Sequence, residues 1–203
     1  MVRRKGRVKD KWREKRWVHV MAPESFKGME LAYVPITGDE VAPGRVVEVT
    51  LYDILGDEPA QHNYKVYFQI DKVDGETATT IFKRFEYSKE FLRSLVRRGS
   101  SKINFVIDTR TSDGHVFRIK VLALTKRQLN ASRQRDLRLI SKRIIEDTVP
   151  KMTVDDFAVS ACHNKLNVDI AAALKKVADV RHVGLEKVKL VRTAEKETVL
   201  LEA

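Results

Sequence analysis

The most restrictive stretch of this sequence is NYKVYFQIDKV, residues 63–73. Tyr64, Val66, Phe68 and Ile70 fall on one parity, and Lys65, Tyr67, Gln69 and Asp71 on the other. That period of two is a half-buried strand. Asp74-Gly75 follows as a hairpin turn, leading into a second strand, TATTIFKRFEY (77–87). The chain must therefore build a sheet.

Other segments supply partners for this hairpin. WVHVMA (17–22) and LAYVPI (31–36) read as short strands, and Pro35 marks an edge or an early end. GRVVEVTLYDIL (44–55) is rich in β-branched residues, follows the turn signal Pro43-Gly44 and reads as one strand. INFVIDTRTSDGHVFRIKVLALT (103–125) reads as two strands around Asp113-Gly114. Ser88 is placed to cap a short helix whose apolar residues Phe91, Leu92, Leu95 and Val96 share a face, with Gly99 suited to its end. Residues 17–125 thus hold about seven strands and one short helix, a run that closes as a barrel or packs as a sandwich.

The pattern changes at Lys126. Leu137, Ile140, Ile144 and Ile145 are spaced for a helix, which Pro150 stops. Thr153 and Asn167 are candidate caps for helices around 154–163 and 168–178, and GLEKVKLVR (184–192) alternates as a final strand. The expected fold is α+β: a basic arm (1–16), a β-barrel-like domain (17–125) and a helix-rich α/β region (126–203).

Charge is concentrated in the arm. Its residues Arg3, Arg4, Lys5, Arg7, Lys9, Lys11, Arg13, Lys15 and Arg16 are nine cations against Asp10 and Glu14, a local +7 out of +11. The other 187 residues carry only +4. Such a block does not fold alone. It is a solubilising tail or a segment that orders on a polyanion, and Trp12 and Trp17, the only tryptophans, argue for the second. Indole faces stack on unpaired bases while Arg and Lys neutralise phosphates. Trp17 serves equally well as the first core residue of its strand. A second basic group runs through Lys126, Arg127, Arg133, Arg135, Arg138, Lys142 and Arg143, opposed only by Asp136. Arg135, Arg138 and Lys142 share one helical face beside the apolar stripe. A merely solvated face is the plain alternative.

Little points to catalysis. The five histidines include no pair spaced as helical metal ligands, and one cysteine excludes an internal disulfide. Cys162-His163 reads as a buried thiol beside a surface imidazole. Asp155-Asp156 suit the first turn of a helix. Glu48 and Asp53 flank a strand end and point to opposite faces. Nucleotide-binding glycine motifs and a nucleophile elbow are absent. No stretch approaches the roughly 20 apolar residues that span a bilayer, and no apolar run follows the basic N-terminus to make a signal. A free nucleic-acid-binding regulator, a metal-dependent nuclease and an anionic-membrane binder are the rival classes. The nuclease needs converging carboxylates, and the membrane binder an amphipathic arm.

PGRVVEVTLYDI (43–54) resembles the signature of the S-one-e family of small-subunit ribosomal proteins, also called S-three-A-e, found in archaea and eukaryotes. Gly44, Arg45, Glu48, Leu51 and Asp53 match it, with Thr50 where Ser is usual and Ile54 where Leu is usual. The opening KDKWREKRWVHVMAPESF, the stretch TSDGHVFRIKVLALTKRQLNASRQRDLRLISKRIIE and the closing VGLEKVKLVR are similar to the family as well. The resemblance implies a non-catalytic constituent of the small ribosomal subunit in the cytoplasm, with no metal and no cofactor. It places the protein on the platform, near the messenger exit and the 3′ end of the small-subunit RNA. The implied partners are ribosomal RNA, neighbouring platform proteins and messenger RNA near the exit. Carried over by position, the RNA contacts are the arm cations, Trp12 and the seven cations from Lys126 to Arg143. Arg45, Glu48 and Asp53 are expected to form a structural charge network rather than touch RNA. The chain lacks the longer C-terminal extension of eukaryotic members, which implies an archaeal type.

Overall fold

Asp74-Gly75 turns as its dipeptide requires, Gly75 taking a left-handed φ of 59°, and joins β4 (Tyr64–Asp74) to β5 (Thr77–Tyr87). The computed structural model describes residues 12–38 and 42–193. The other strands are β1 (Arg16–Met21), β2 (Glu30–Ile36), β3 (Val46–Thr50), β6 (Lys102–Arg110), β7 (Val116–Thr125) and β8 (Val180–Arg192). The helices are α1 (Leu51–Leu55), α2 (Lys89–Leu95), α3 (Ala131–Thr148), α4 (Val154–Cys162) and α5 (Lys165–Lys175). The fold is α+β. The chain divides into two compact units, one holding residues up to Val47 with Gln69–Ile81, the other Glu48–Phe68 with everything from Phe82. The β4–β5 hairpin contributes residues to both.

In the first unit β1 pairs antiparallel with β2, from Arg16 opposite Ile36 to Val20 opposite Ala32. It also pairs parallel with the start of β5 at Thr77 and Ala78. Val18, Val20, Ile36, Ala42, Ile70 and Ala78 form the core. Pro35 lies on β2, at one end of the strand order, where a missing N–H costs no ladder bond.

In the second unit the end of β5 pairs with β8, β8 with β7 and β7 with β6, all antiparallel. Its core is aromatic: Phe68, Phe82, Phe85, Phe117 and Phe157 are fully buried. Phe82 packs on Phe117 at 6.2 Å, and Phe117 on Phe157 of α4 at 5.1 Å. Val121 to Thr125 of β7 are all buried, on both parities, so this end of the strand is covered on both faces.

Several expectations hold: Ser88 and Thr153 accept from the backbone as helix caps, and Asp113-Gly114 separates β6 from β7. Four do not. The strand expected over 44–55 stops at Thr50, because Thr50 and Asp53 form a reciprocal capping box that starts α1. Asn167 is not a cap: α5 begins two residues earlier, after Asn164, and Asn167 is buried inside it. There its Oδ1 accepts from Leu185 N at 2.9 Å, tying α5 to β8. α2 ends at Leu95 and leaves Val96 exposed in extended backbone. The sheet is also not closed: its order is β2-β1-β5-β8-β7-β6, with β4 also on β5 and β3 on β4. The expected barrel would need a closing pair, which the described strands do not make.

Candidate nucleic-acid interface

Of the arm, Arg3, Arg4, Lys5, Arg7, Lys9 and Lys11 lie outside the described residues. Trp12, Arg13 and Arg16 are exposed and Lys15 is half-buried. Trp12 is 66% exposed, and the Lys15 ammonium sits 3.6 Å above its ring. That is a cation–π contact, which covers one indole face. Trp17 is 60% exposed on β1, opposite Pro35. It does not serve as a core residue, since Val18 and Val20 fill that role on the same strand.

The second cationic group begins at the β7–α3 turn. Lys126 donates its backbone N–H to Asp179 O at 2.9 Å, and the Arg127 carbonyl accepts from Thr125 Oγ1 at 2.6 Å. Both side chains are exposed. α3 turns Leu137 and Ile145 into the core, with Ser141 between them donating to Leu137 O at 2.8 Å. That orientation leaves Arg133, Arg135, Lys142 and Arg143 exposed and Arg138 half-buried. Lys142 pairs with Glu146 one turn on, at 3.5 Å. Arg138, Leu139, Lys142 and Glu146 form one wall of a groove of about 390 Å³ whose other wall is Phe105 to Asp108 of β6.

Arg45, Glu48 and Asp53 do not make the charge network expected of them; each takes a different partner. Arg45 Nη1 donates to Pro35 O at 3.0 Å, Glu48 accepts from Lys65 at 2.6 Å, and Asp53 completes the α1 cap. Glu48 instead joins a polar cluster on the second unit's sheet whose other members sequence reasoning missed: it interacts with Tyr67 and Arg84 as well as Lys65. Tyr67 donates to Glu86 Oε1 at 2.8 Å, Arg84 stacks 3.8 Å over the Tyr67 ring, and Lys187 reaches Glu86 Oε2 at 3.0 Å. Nearby, Lys120 pairs with Glu186 at 2.6 Å, and Arg118 makes a two-pronged pair with Asp108 at 2.8 Å. The signal available was the alternation of charged with apolar residues in 84–86, 118–120 and 187–189.

These pairs set the carboxylates' acidities. Lys65 holds Glu48 below the usual range, and Arg118 does the same for Asp108. Burial opposes ionisation of Glu86, but the Tyr67 hydroxyl and the Lys187 ammonium outweigh it and lower that pKa too. Cys162 is buried, which pushes its thiol up to about 12, and His163 beside it is exposed. Asp155 and Asp156 stand in the first turn of α4. Among the described residues no three His, Cys, Asp or Glu side chains gather as a metal site. No helix of the described residues is long and apolar enough to cross a membrane.

Residues 3–194 match the family model described as the Ribosomal S3Ae family. The chain is 40% identical over 183 residues to the protein of Desulfurococcus amylolyticus named small ribosomal subunit protein eS1, covering 90% of this chain and 85% of that one. The proteins of the same name from Ignicoccus hospitalis and Sulfurisphaera tokodaii are each 37% identical. Those matches cover 93% of this chain in both cases, and 89% and 97% of the relatives.

Proposed function

This chain belongs to the Ribosomal S3Ae family, and from that premise we propose that it serves the small ribosomal subunit by binding ribosomal RNA through two cationic segments. Its role is that of a structural constituent of the archaeal small subunit, in the cytoplasm; it is not an enzyme. The observation that carries the RNA reading is the placing of charge. The arm concentrates +7 in its first 16 residues, and α3 buries its apolar face while Arg133, Arg135 and Arg143 stay in solvent.

In this reading the arm cations Arg3 to Arg16 and the group from Lys126 to Arg143 neutralise phosphates and let RNA helices approach one another. The folded units fix where those charges stand. Trp12 offers an indole for stacking, already braced by Lys15. Lys and Arg on a backbone carry little base information, so specificity comes from RNA shape and from neighbouring proteins. The site proposed is the platform, close to the messenger exit and the 3′ end of the small-subunit RNA, with other platform proteins and messenger RNA within reach.

The test is sedimentation of native extract through sucrose, at low and then high salt, with the chain followed in every fraction. Co-migration with small subunits and whole ribosomes is expected, with release as salt rises. A chain that stays at the top of the gradient at low salt overturns the proposal.

A further inference from the structure

The edge of β6 carries an inference that does not rest on RNA binding. Among the described strands, β6 ends the strand order and pairs with β7 alone. Its nine pairs, Lys102 with Leu124 through Arg110 with Val116, run without a bulge. Every other β6 residue therefore turns its N–H and C=O away from β7. Edges of this kind are normally blunted by a bulge, a proline or an inward charge, and here none interrupts the middle of the strand. Instead, Val106 is 56% exposed at its centre.

The groove beside this edge has the shape of a strand site. One wall is four consecutive residues, Phe105 to Asp108, which is the signature of a strand edge; a sheet face would contribute alternate residues. The other wall is one side of α3: Arg138, Leu139, Lys142 and Glu146. Leu139, 44% exposed, adds an aliphatic surface across from Val106. The electrostatics select the occupant. The Asp108 carboxylate is fully engaged by Arg118, and Glu146 is paired with Lys142. Arg138 has no acidic partner among the described residues, and Arg135 lies on the same stripe. Among the described residues, the groove thus offers unpaired backbone, aliphatic surface and one uncompensated guanidinium.

We propose that the groove between β6 and α3 takes an extended segment of another protein, one with apolar and acidic residues alternating, which adds as a strand to β6. The backbone ladder supplies affinity. An apolar side chain lies between Val106 and Leu139, and a carboxylate meets Arg138. A single RNA strand fits less well, because its bases call for aromatic platforms, whereas the exposed floor is aliphatic. With Arg138 and Lys142 given to the peptide, the RNA contact of this region falls on Lys126, Arg127, Arg133, Arg135 and Arg143.

The test uses the full ¹⁵N-labelled chain titrated with an acetylated, amidated peptide of alternating Val and Glu, eight residues long. Shifts and slowed amide exchange confined to Lys102–Arg110 and Arg138–Glu146 are expected. Arg138→Glu should weaken binding at least tenfold, and so should N-methylation of alternate peptide amides. The proposal is overturned by no response at these residues up to millimolar peptide, or by binding indifferent to N-methylation. It is also overturned if oligouridylate moves the same residues at lower concentration, which makes RNA the occupant. Protection of β6 amides that grows with protein concentration alone makes the occupant a second copy, and overturns it too. Sedimentation with small subunits is decided separately, so failure there leaves this result standing.

Discussion

Gly184 is the position where one added carbon should do most harm. It sits in β8 with an unexceptional φ, so its need for glycine is spatial and not conformational. A Cβ built there falls on the hydroxyl of Tyr87 and stands 2.8 Å from Cζ of that ring. Carbon contacts settle at about 3.5–4.0 Å, so Cζ alone must retreat by roughly 0.7 Å, and the hydroxyl by more. The ring has nowhere to go. Tyr87 is 3% exposed and is held by Tyr64 at 5.0 Å, Phe91 at 5.4 Å, His182 at 6.0 Å and Phe85 at 6.1 Å. Overpacking a core of this density costs about 1–3 kcal/mol, and a rigid aromatic stack puts Gly184→Ala at the upper end. Urea unfolding followed by circular dichroism should show a midpoint shift of that size with an unchanged slope. Tyr87→Leu opens a cavity and is destabilising on its own. The double variant should nevertheless be less damaged than the sum of the two, by about 1–2 kcal/mol. A Gly184→Ala chain within about 0.5 kcal/mol of the parent, or strict additivity in the double variant, refutes the steric argument.

Glu86, Glu48 and Asp108 all have lowered pKa values in the fold, so the unfolded chain binds more protons as pH falls. Their contribution to stability is complete above the unfolded carboxylate range of about 4 and is lost as pH drops through the folded values; Glu86→Gln should flatten that part of a stability–pH curve, and an unchanged slope would count against the pairing with Lys187. With its thiol raised to about 12 by burial, Cys162 should resist iodoacetamide in the native protein at pH 8 and react once urea unfolds it, as read by mass spectrometry. Thr50→Ala removes the α1 cap and should cost about 1 kcal/mol, measured by the same urea titration. Replacing Arg133, Arg135 and Arg143 with alanine should reduce the log-salt slope of ribosomal RNA binding by roughly 2–3, in filter-binding assays across a salt series; an unaltered slope would leave α3 out of the RNA contact.

How far the sequence could be read depended on what each signal encodes. Alternation and Asp-Gly turns are local, so β4, β5, β6 and β7 were legible to within a residue or two. The residues 51–55 misled because LYDIL has the composition of a strand, while the deciding event is a hydrogen-bond exchange between Thr50 and Asp53. Asn167 misled in the opposite sense. Its residue type advertises a cap, but the amide is needed by Leu185 N, a contact 18 residues away that no local pattern records. Arg45, Glu48 and Asp53 lie close in sequence, yet a strand end and a new helix turn them toward unrelated partners. The two cationic groups were visible because charge is additive along a chain. The groove at β6 was not, since it depends on which strand ends the sheet, a fact of topology.

The β4–β5 hairpin has a consequence for the order of events during synthesis. Strand β1 is finished at Met21, but its parallel partner is Thr77–Ala78, and Ile70 and Ala78 complete the core around Val18 and Val20. At about 5–20 residues per second, those early residues wait several seconds for the segment that seals them. Throughout that interval the cationic residues 3–16 stand directly before an unsealed apolar strand. The same charge proposed for RNA contact also makes the segment before β1 self-repelling, until the returning hairpin closes over the strand behind it.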